Sequence, residues 1–256
     1  MSKIVRIFAD DFETYTSVSR QPCSRVSDTT ASAEVANAAV KLLGTKEDTL
    51  FVRVYTKFES GYNAIGSSHN GIAISANYST PGVPADGTNK FYVDVENSRD
   101  LTSEQTPGLT NVYIYHPEQR SQWGDHWYPD GRVVPFDSVP GDFGSSFIAR
   151  PNFTPQLNRW YSYELMVKAN TPGQRDGRIA VWIDGKLIAD FTNVRLRDVS
   201  TLKIDKFDIG LHIFSNSIRQ NIKWYDNIVA ARSYIGPMTQ RTTTVSPPTG
   251  LHATVQ

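Results

Sequence analysis

Apolar and polar residues take turns along most of this chain. In TLFVRVYTKF (49–58), Leu50, Val52, Val54 and Phe58 fall on one side of an extended backbone, and Phe51, Arg53, Tyr55 and Lys57 on the other. That two-residue period belongs to a β-strand with one buried face. Alternating or β-branched runs recur in KIVRIF, GIAISANY, KFYVDVEN, NVYIYH, WYSYELMVKAN, GRIAVWIDGKLIADF, KFDIGLHIF and KWYDNIVAARSYIG, separated by turn-rich segments such as STPGVPADGTN and DSVPGDFG. Many short strands with turns between them predict an all-β protein, a jelly-roll sandwich of two antiparallel sheets. Within DGRIAVWIDGKLIADF the Asp184-Gly185 step supplies the positive φ of a tight hairpin turn. ASAEVANAAVKLLG is ambiguous: it is alanine-rich enough to begin a short helix near Ser32, yet its second half reads equally well as a strand.

Residues 1–238 form the predicted jelly-roll domain. From Thr239 the chain turns to TQRTTTVSPPTG, a Thr, Ser and Pro tract of linker character, and then PPTGLHATVQ renews the alternation and resembles the opening of a fibronectin type III module cut short. Residues 239–256 are therefore read as a linker and the start of a further module.

Composition narrows the function. Lys plus Arg and Asp plus Glu each number 26 in 256 residues, so no broad basic field exists for nucleic acid or an anionic membrane surface. No apolar run approaches the ~20 residues of a membrane span. The start, MSKIVRIFADDFE, lacks a signal peptide's apolar stretch; the tail reads equally as an ordinary disordered end or as the linker of a secreted modular protein, and the expectation is a secreted monomer that is part of a longer modular protein. A single cysteine, Cys23, rules out an internal disulfide, and with no base to pair with it is read as structural. No P-loop, dinucleotide fingerprint, HExxH, cysteine zinc site or nucleophile elbow is present.

Three strands each offer a polar face. Arg53, Tyr55 and Lys57 share one; His69, Ser75 and Asn77 share another with small Gly71 and Ala73; Lys206, Asp208 and His212 share a third. If these faces line one cleft, the set suits a uronic-acid polysaccharide. β-Elimination needs the sugar carboxylate neutralised, a base for the C5 proton and an acid for the leaving oxygen. Arg53, whose planar fork binds a carboxylate bidentately, is the expected neutraliser with Lys57 beside it. His69 and Tyr55 are the expected acid/base pair, with His212 in support. Asn77, and Trp127 and Tyr128 from the aromatic loop RSQWGDHWYPDG, are expected to contact sugar. A hydrolase would need two carboxyls across the scissile bond; Asp94 and Glu96 are the available pair, on what reads as a solvated strand face. The runner-up to the lyase, ahead of the hydrolase, is a non-catalytic carbohydrate-binding jelly-roll module of a modular biomass-degrading enzyme.

Taken in order, ADDFET, LFVRVYTKF, SSHNGIAI, WYSYELMVK with GRIAVWIDGKLIAD, and FDIGLHIFSNSIRQNIKWYDNIVAARSYIG resemble the fungal glucuronan lyases and the related cellulose-induced secreted proteins, of the concanavalin A-like jelly-roll class, over about residues 8–237. The resemblance implies a secreted lyase that cleaves a glucuronic-acid-containing polymer without a redox cofactor. It implies that the family's cleft arginine falls on Arg53 and its cleft histidine on His69. It also implies a structural calcium tying the N-terminal segment to the last strand through Glu13 and Asp226, and it turns AAVKLLG into a strand. Where relatives can present a tyrosine in the penultimate strand this chain has Phe214, which leaves His212 or Tyr55 to substitute.

Overall fold

The computed structural model describes residues 6–10, 24–28, 35–66, 68–99, 101, 103–134, 143–213 and 221–238. Among them are β1 (Arg6–Asp10), β2 (Ser24–Asp28), β3 (Val35–Glu47), β4 (Thr49–Phe58), β5 (Ser68–His69), β6 (Ile72–Ala76), β7 (Phe91–Ser98) and β8 (Leu109–Tyr115). They are followed by β9 (Asp125–Trp127), β10 (Val133–Val134), β11 (Tyr161–Lys168), β12 (Gly177–Ile183), β13 (Lys186–Val194), β14 (Ile204–Ile213) and β15 (Asn221–Ala231). The predicted strands are present. The tail at 239–256, Glu13, Cys23 and Phe214 lie outside the described residues.

The strands form two sheets. One is 7-stranded, in the order β1-β15-β4-β11-β12-β13 with β2 also on β15; the other is 8-stranded, in the order β10-β9-β8-β7-β6-β14-β3 with β5 also on β14. Their pairings are antiparallel, as in β4 with β11 and β15, and β7 with β6 and β8. This is the expected two-sheet sandwich. The alanine-rich stretch became β3 because it pairs residue by residue with β14, a tertiary pairing that overrides the helical preference of alanine.

The core follows from the alternation. Leu50, Val52, Val54 and Phe58 of β4 meet Ile72 and Ile74 of β6, Val93 and Val95 of β7, Val112 and Ile114 of β8, and Phe207, Ile209, Leu211 and Ile213 of β14 in one buried cluster. Each such side chain removed from water contributes about 1.5–3 kcal/mol. The β12–β13 hairpin closes as expected, with Asp184 and Gly185 at φ 50 and 78. Trp127 joins this interior, 2% exposed and edge-on to Phe143 and Phe191. It is a core residue, so the expectation that it stacks on sugar is corrected.

The core also contains a polar strut. Lys223 and Tyr225, on the inner side of β15, cross to the opposite sheet, where the Lys223 ammonium and the Tyr225 hydroxyl (2.9 Å) both donate to the carbonyl of Asn70. The Asn70 side chain clasps β7: its Nδ2 donates to the Asn97 carbonyl at 2.6 Å, and the Asn97 N–H donates to its Oδ1 at 3.0 Å. Gly71 permits this approach, since a Cβ there would lie 1.6 Å from the Val95 carbonyl oxygen. The backbone beside His69 is thereby held from both sheets.

Candidate active site

The outer face of the 8-stranded sheet is read off the register. One cross-strand row runs Asp208, Ala73, Asp94, Tyr113, His126 over β14, β6, β7, β8 and β9; a second pairs Glu96 with Asn111; His69 on β5 pairs with His212 on β14. Three histidines, three carboxyls and a tyrosine thus come from five places in the sequence. Alternation puts every one of them opposite the apolar core.

Glu96, fully buried, is the hub. His69 Nδ1 donates to its Oε2 at 2.6 Å, and His126 Nδ1 stands 3.0 Å from its Oε1 and 2.9 Å from Asn111 Oδ1. A carboxylate only accepts, so the nitrogen facing it carries the proton, which leaves Nε2 of His69 as the basic nitrogen of a neutral ring. Burial opposes charge on Glu96, but His69 and His126 outweigh it and hold the carboxyl at about 2. Asp94 behaves oppositely: burial, then repulsion from Glu96 and Asp208, pushes it well up, and its Oδ1 makes no hydrogen bond among the described residues. Burial likewise lifts Asp208 to about 6.

The His69 ring lies 4.3 Å from that of Tyr113 and 5.2 Å from that of His212. The Gly124 N–H donates to the Tyr113 hydroxyl at 3.0 Å. Burial first, then Tyr115, pushes the Tyr113 hydroxyl up, so it keeps its proton at neutral pH and can act as an acid. Tyr78, Tyr92 and Tyr115 extend this aromatic floor, and Lys90 and Lys206 lie against Tyr78. The exposed Trp123, packed over Gly82, rises at the same end of the face, where Gly82 N–H donates to Tyr115.

The predicted residues divide. His69 and His212 are brought together. Arg53, Tyr55 and Lys57 are not with them: β4 is central in the 7-stranded sheet, and its polar side is the outer face of the opposite layer. There Arg53 is 4% exposed, beside its cross-strand neighbour Glu164 and against the Tyr55 ring. Residues 235–238 cross that face, with the Ile235 and Gly236 N–H groups donating to Glu164 and the Met238 N–H to the Tyr55 hydroxyl. Lys57 sits over Trp160 and Trp224. The expected convergence of Arg53, Tyr55 and His69 on one groove therefore fails; alternation assigns faces, and a sandwich has two outward ones. Asn77 is exposed in a left-handed turn at the end of β6, its N–H donating to Asp205. Tyr128, two residues after His126, is buried at 6% exposed with the Arg132 guanidinium over its ring, so the expectation that it stacks on sugar is corrected. Asp226, in register with Tyr55, is on the other layer.

Asp94 and Glu96 are not a solvated face; they are 3% and 0% exposed. Nor do they form a hydrolase pair. Both Glu96 oxygens face histidines, so Glu96 is held by imidazoles and is not placed to act on a glycosidic bond, and one ligating atom from each of His69, Asp94 and Glu96 lies within 4.8 Å of the others. Among the described residues this trio is also the grouping whose spacing would admit a metal ion, although His69 and Glu96 satisfy each other without one. The residues missed were Tyr113, His126, Asn111 and the buried role of Glu96. The alternation of FYVDVEN and NVYIYH, applied as it was to β4, would have placed most of them.

Residues 105–214, under half of the chain and running from the loop before β8 to the end of β14, match the family model for polysaccharide lyase 14. No curated protein sequence matches. Among solved structures, a mutant of alginate lyase Aly36B in complex with alginate tetrasaccharide is 18% identical, with a TM-score of 0.62 over 90% of this chain and 88% of that one. Alginate lyase vAL-1 from Chlorella virus is 13% identical (TM-score 0.57, 88% and 92% covered), and the endo-β-1,4-glucuronan lyase of the fungus Trichoderma reesei is 14% identical (TM-score 0.53, 90% and 96% covered). These likenesses establish the jelly-roll fold. With the family match they agree with the resemblance to jelly-roll polysaccharide lyases read from the sequence.

Proposed function

We propose that this protein is a polysaccharide lyase that cuts a uronic-acid polymer by β-elimination on the outer face of the 8-stranded sheet. One observation carries the reading: a buried, ionised Glu96 fixes His69 by its Nδ1, with the protonated Tyr113 beside it. His69 Nε2 takes the C5 proton. As the C4–O bond breaks and the C4=C5 double bond forms, Tyr113 gives its proton to the leaving oxygen, and the imidazolium restores it. Glu96 orients the ring and stabilises its charged form, as a carboxylate does behind a catalytic histidine. His212 and Asn111 frame the position of the sugar carboxylate. The family match over 105–214 and the alginate- and glucuronan-cleaving neighbours support the class.

The finer assignments rest on the sequence resemblance: a glucuronic-acid-containing substrate, secretion, and a calcium held by Asp226 with Glu13 away from the histidines. Asp226 offers the oxygen donors calcium prefers, on a strand that bulges next to it. The reading is tested by comparing His69→Ala and Tyr113→Phe with the parent on uronate polymers. Each should lose about 10²–10⁴-fold in kcat, the usual contribution of a general acid or base. Full activity in either removes that residue from the mechanism.

A further inference from the structure

Beyond the histidines the same face continues into a hollow of about 250 Å³, walled in part by Ser98, Leu109, Tyr128, Arg132 and Thr154. It is contiguous with the proposed catalytic cluster. Ser98 pairs with Leu109 two positions along β7 from the Glu96–Asn111 pair, and Asn111 Nδ2 donates to Ser98 Oγ at 2.9 Å. Two strand residues span roughly 7 Å, so the hollow opens beside the cluster, within reach of the next sugar of the same chain. The volume is below the ~300 Å³ at which drug-sized pockets begin and has room for one ring.

The chemistry of the wall is specific. Tyr128 and Arg132 bracket the tight turn between β9 and β10, closed by Tyr128 N–H to the Arg132 carbonyl (2.9 Å) and Gly131 N–H to the Tyr128 carbonyl (2.9 Å). That turn lays the Arg132 guanidinium over the Tyr128 ring, 3.9 Å from its centre. Arg99 and Glu104 also line the hollow, and these two charges and nearby Asp130 are committed. Arg99 donates to the carbonyls of Ala64 and Glu104 and to Asn63; Glu104 Oε2 accepts from the Leu101 N–H; Asp130 accepts from the Arg132 backbone N–H and from Asn152. Arg132 is exposed, and its guanidinium has no carboxylate partner among the described residues. A planar fork held against an aromatic ring at the mouth of a sugar-sized hollow is built to take a carboxylate bidentately.

Building on the lyase reading, we infer that this hollow is a uronate subsite adjoining the catalytic histidines, in which Arg132 binds the carboxylate of the sugar next to the one that is cleaved. The enzyme then engages at least two consecutive uronates, so a neutral sugar at that position would be discriminated against.

The test uses the full chain carrying His69→Ala, which should bind without turnover, titrated calorimetrically with uronate hexamers and with neutral β-1,4-glucan hexamers. Adding Arg132→Ala should weaken uronate binding by about tenfold or more, the scale of a lost bidentate charged pair, with no change in melting temperature. Arg132→Lys should recover only part of the loss. Unchanged uronate binding in the Arg132→Ala protein overturns the subsite and leaves the lyase reading standing. If the His69→Ala parent fails to prefer uronate over neutral hexamer, the lyase reading falls and the subsite with it.

Discussion

Lys223→Met removes an ammonium that this fold holds 1% exposed between its two sheets, and it does so with a side chain of similar length and shape. Burial lowers the lysine from 10.5 to about 7, against the pull of Asp94 and Glu96. At about 1.4 kcal/mol per unit, that displacement is roughly 5 kcal/mol. Between pH 7 and 10.5 the unfolded chain keeps the proton that the folded chain has released, so the unfolded state binds more protons and the parent gains stability as pH rises. Below pH 7 both states carry the proton and the full desolvation cost is present. The methionine variant lacks this slope. Its stability relative to the parent should therefore be most favourable below pH 7 and should decline by up to roughly 5 kcal/mol toward pH 10.5. Urea unfolding of both proteins at intervals from about pH 6 to about pH 10 reads this difference, and groups common to the two cancel. A difference that stays flat across the window would refute the buried strut.

Three further outcomes follow from the placement of side chains. Glu96→Gln should lower kcat by about 10²–10⁴-fold, because an amide no longer fixes the tautomer or stabilises the imidazolium. Its stability deficit should shrink as pH falls from 4.5 through about 2, since the depressed Glu96 carboxyl stabilises the fold only while ionised; a deficit independent of pH contradicts the clamp. Arg53→Met should leave turnover unchanged while lowering the melting temperature, since Arg53 lies on the opposite layer; an inactive but folded variant would restore it to the site. Trp127→Ala should destabilise by about 3–5 kcal/mol, as for a large core truncation, and a variant that loses sugar affinity but not stability would return the indole to the cleft.

The fold was legible because its information is local. Alternation marks the strands, Asp184-Gly185 marks a hairpin, and apolar faces specify which side is buried. Even the ambiguity of AAVKLL was resolved by something the local sequence lacks, its pairing with β14. The candidate site was half legible for the same reason. His69 and His212 sit on polar faces that belong to one sheet, and so does Ser75. Arg53 sits on a polar face of equal quality that belongs to the other, and no periodicity distinguishes the two layers of a sandwich. Asp94 and Glu96 looked solvated because a strand's polar side is normally wet; they are dry because Tyr113, His126 and His69 from neighbouring strands cover them. Trp127 looked like a loop aromatic until the β9 pairing turned it inward.

The central claim is that histidine-driven elimination, not hydrolysis, happens on the outer face of the 8-stranded sheet. Incubating the protein with glucuronan and with alginate while following ultraviolet absorbance and reducing ends together tests this directly. New absorbance from the C4=C5 double bond should rise in proportion to reducing ends with at least one of these polymers, and both should vanish in His69→Ala. Reducing ends that appear without absorbance, or absorbance undiminished in His69→Ala, would contradict it.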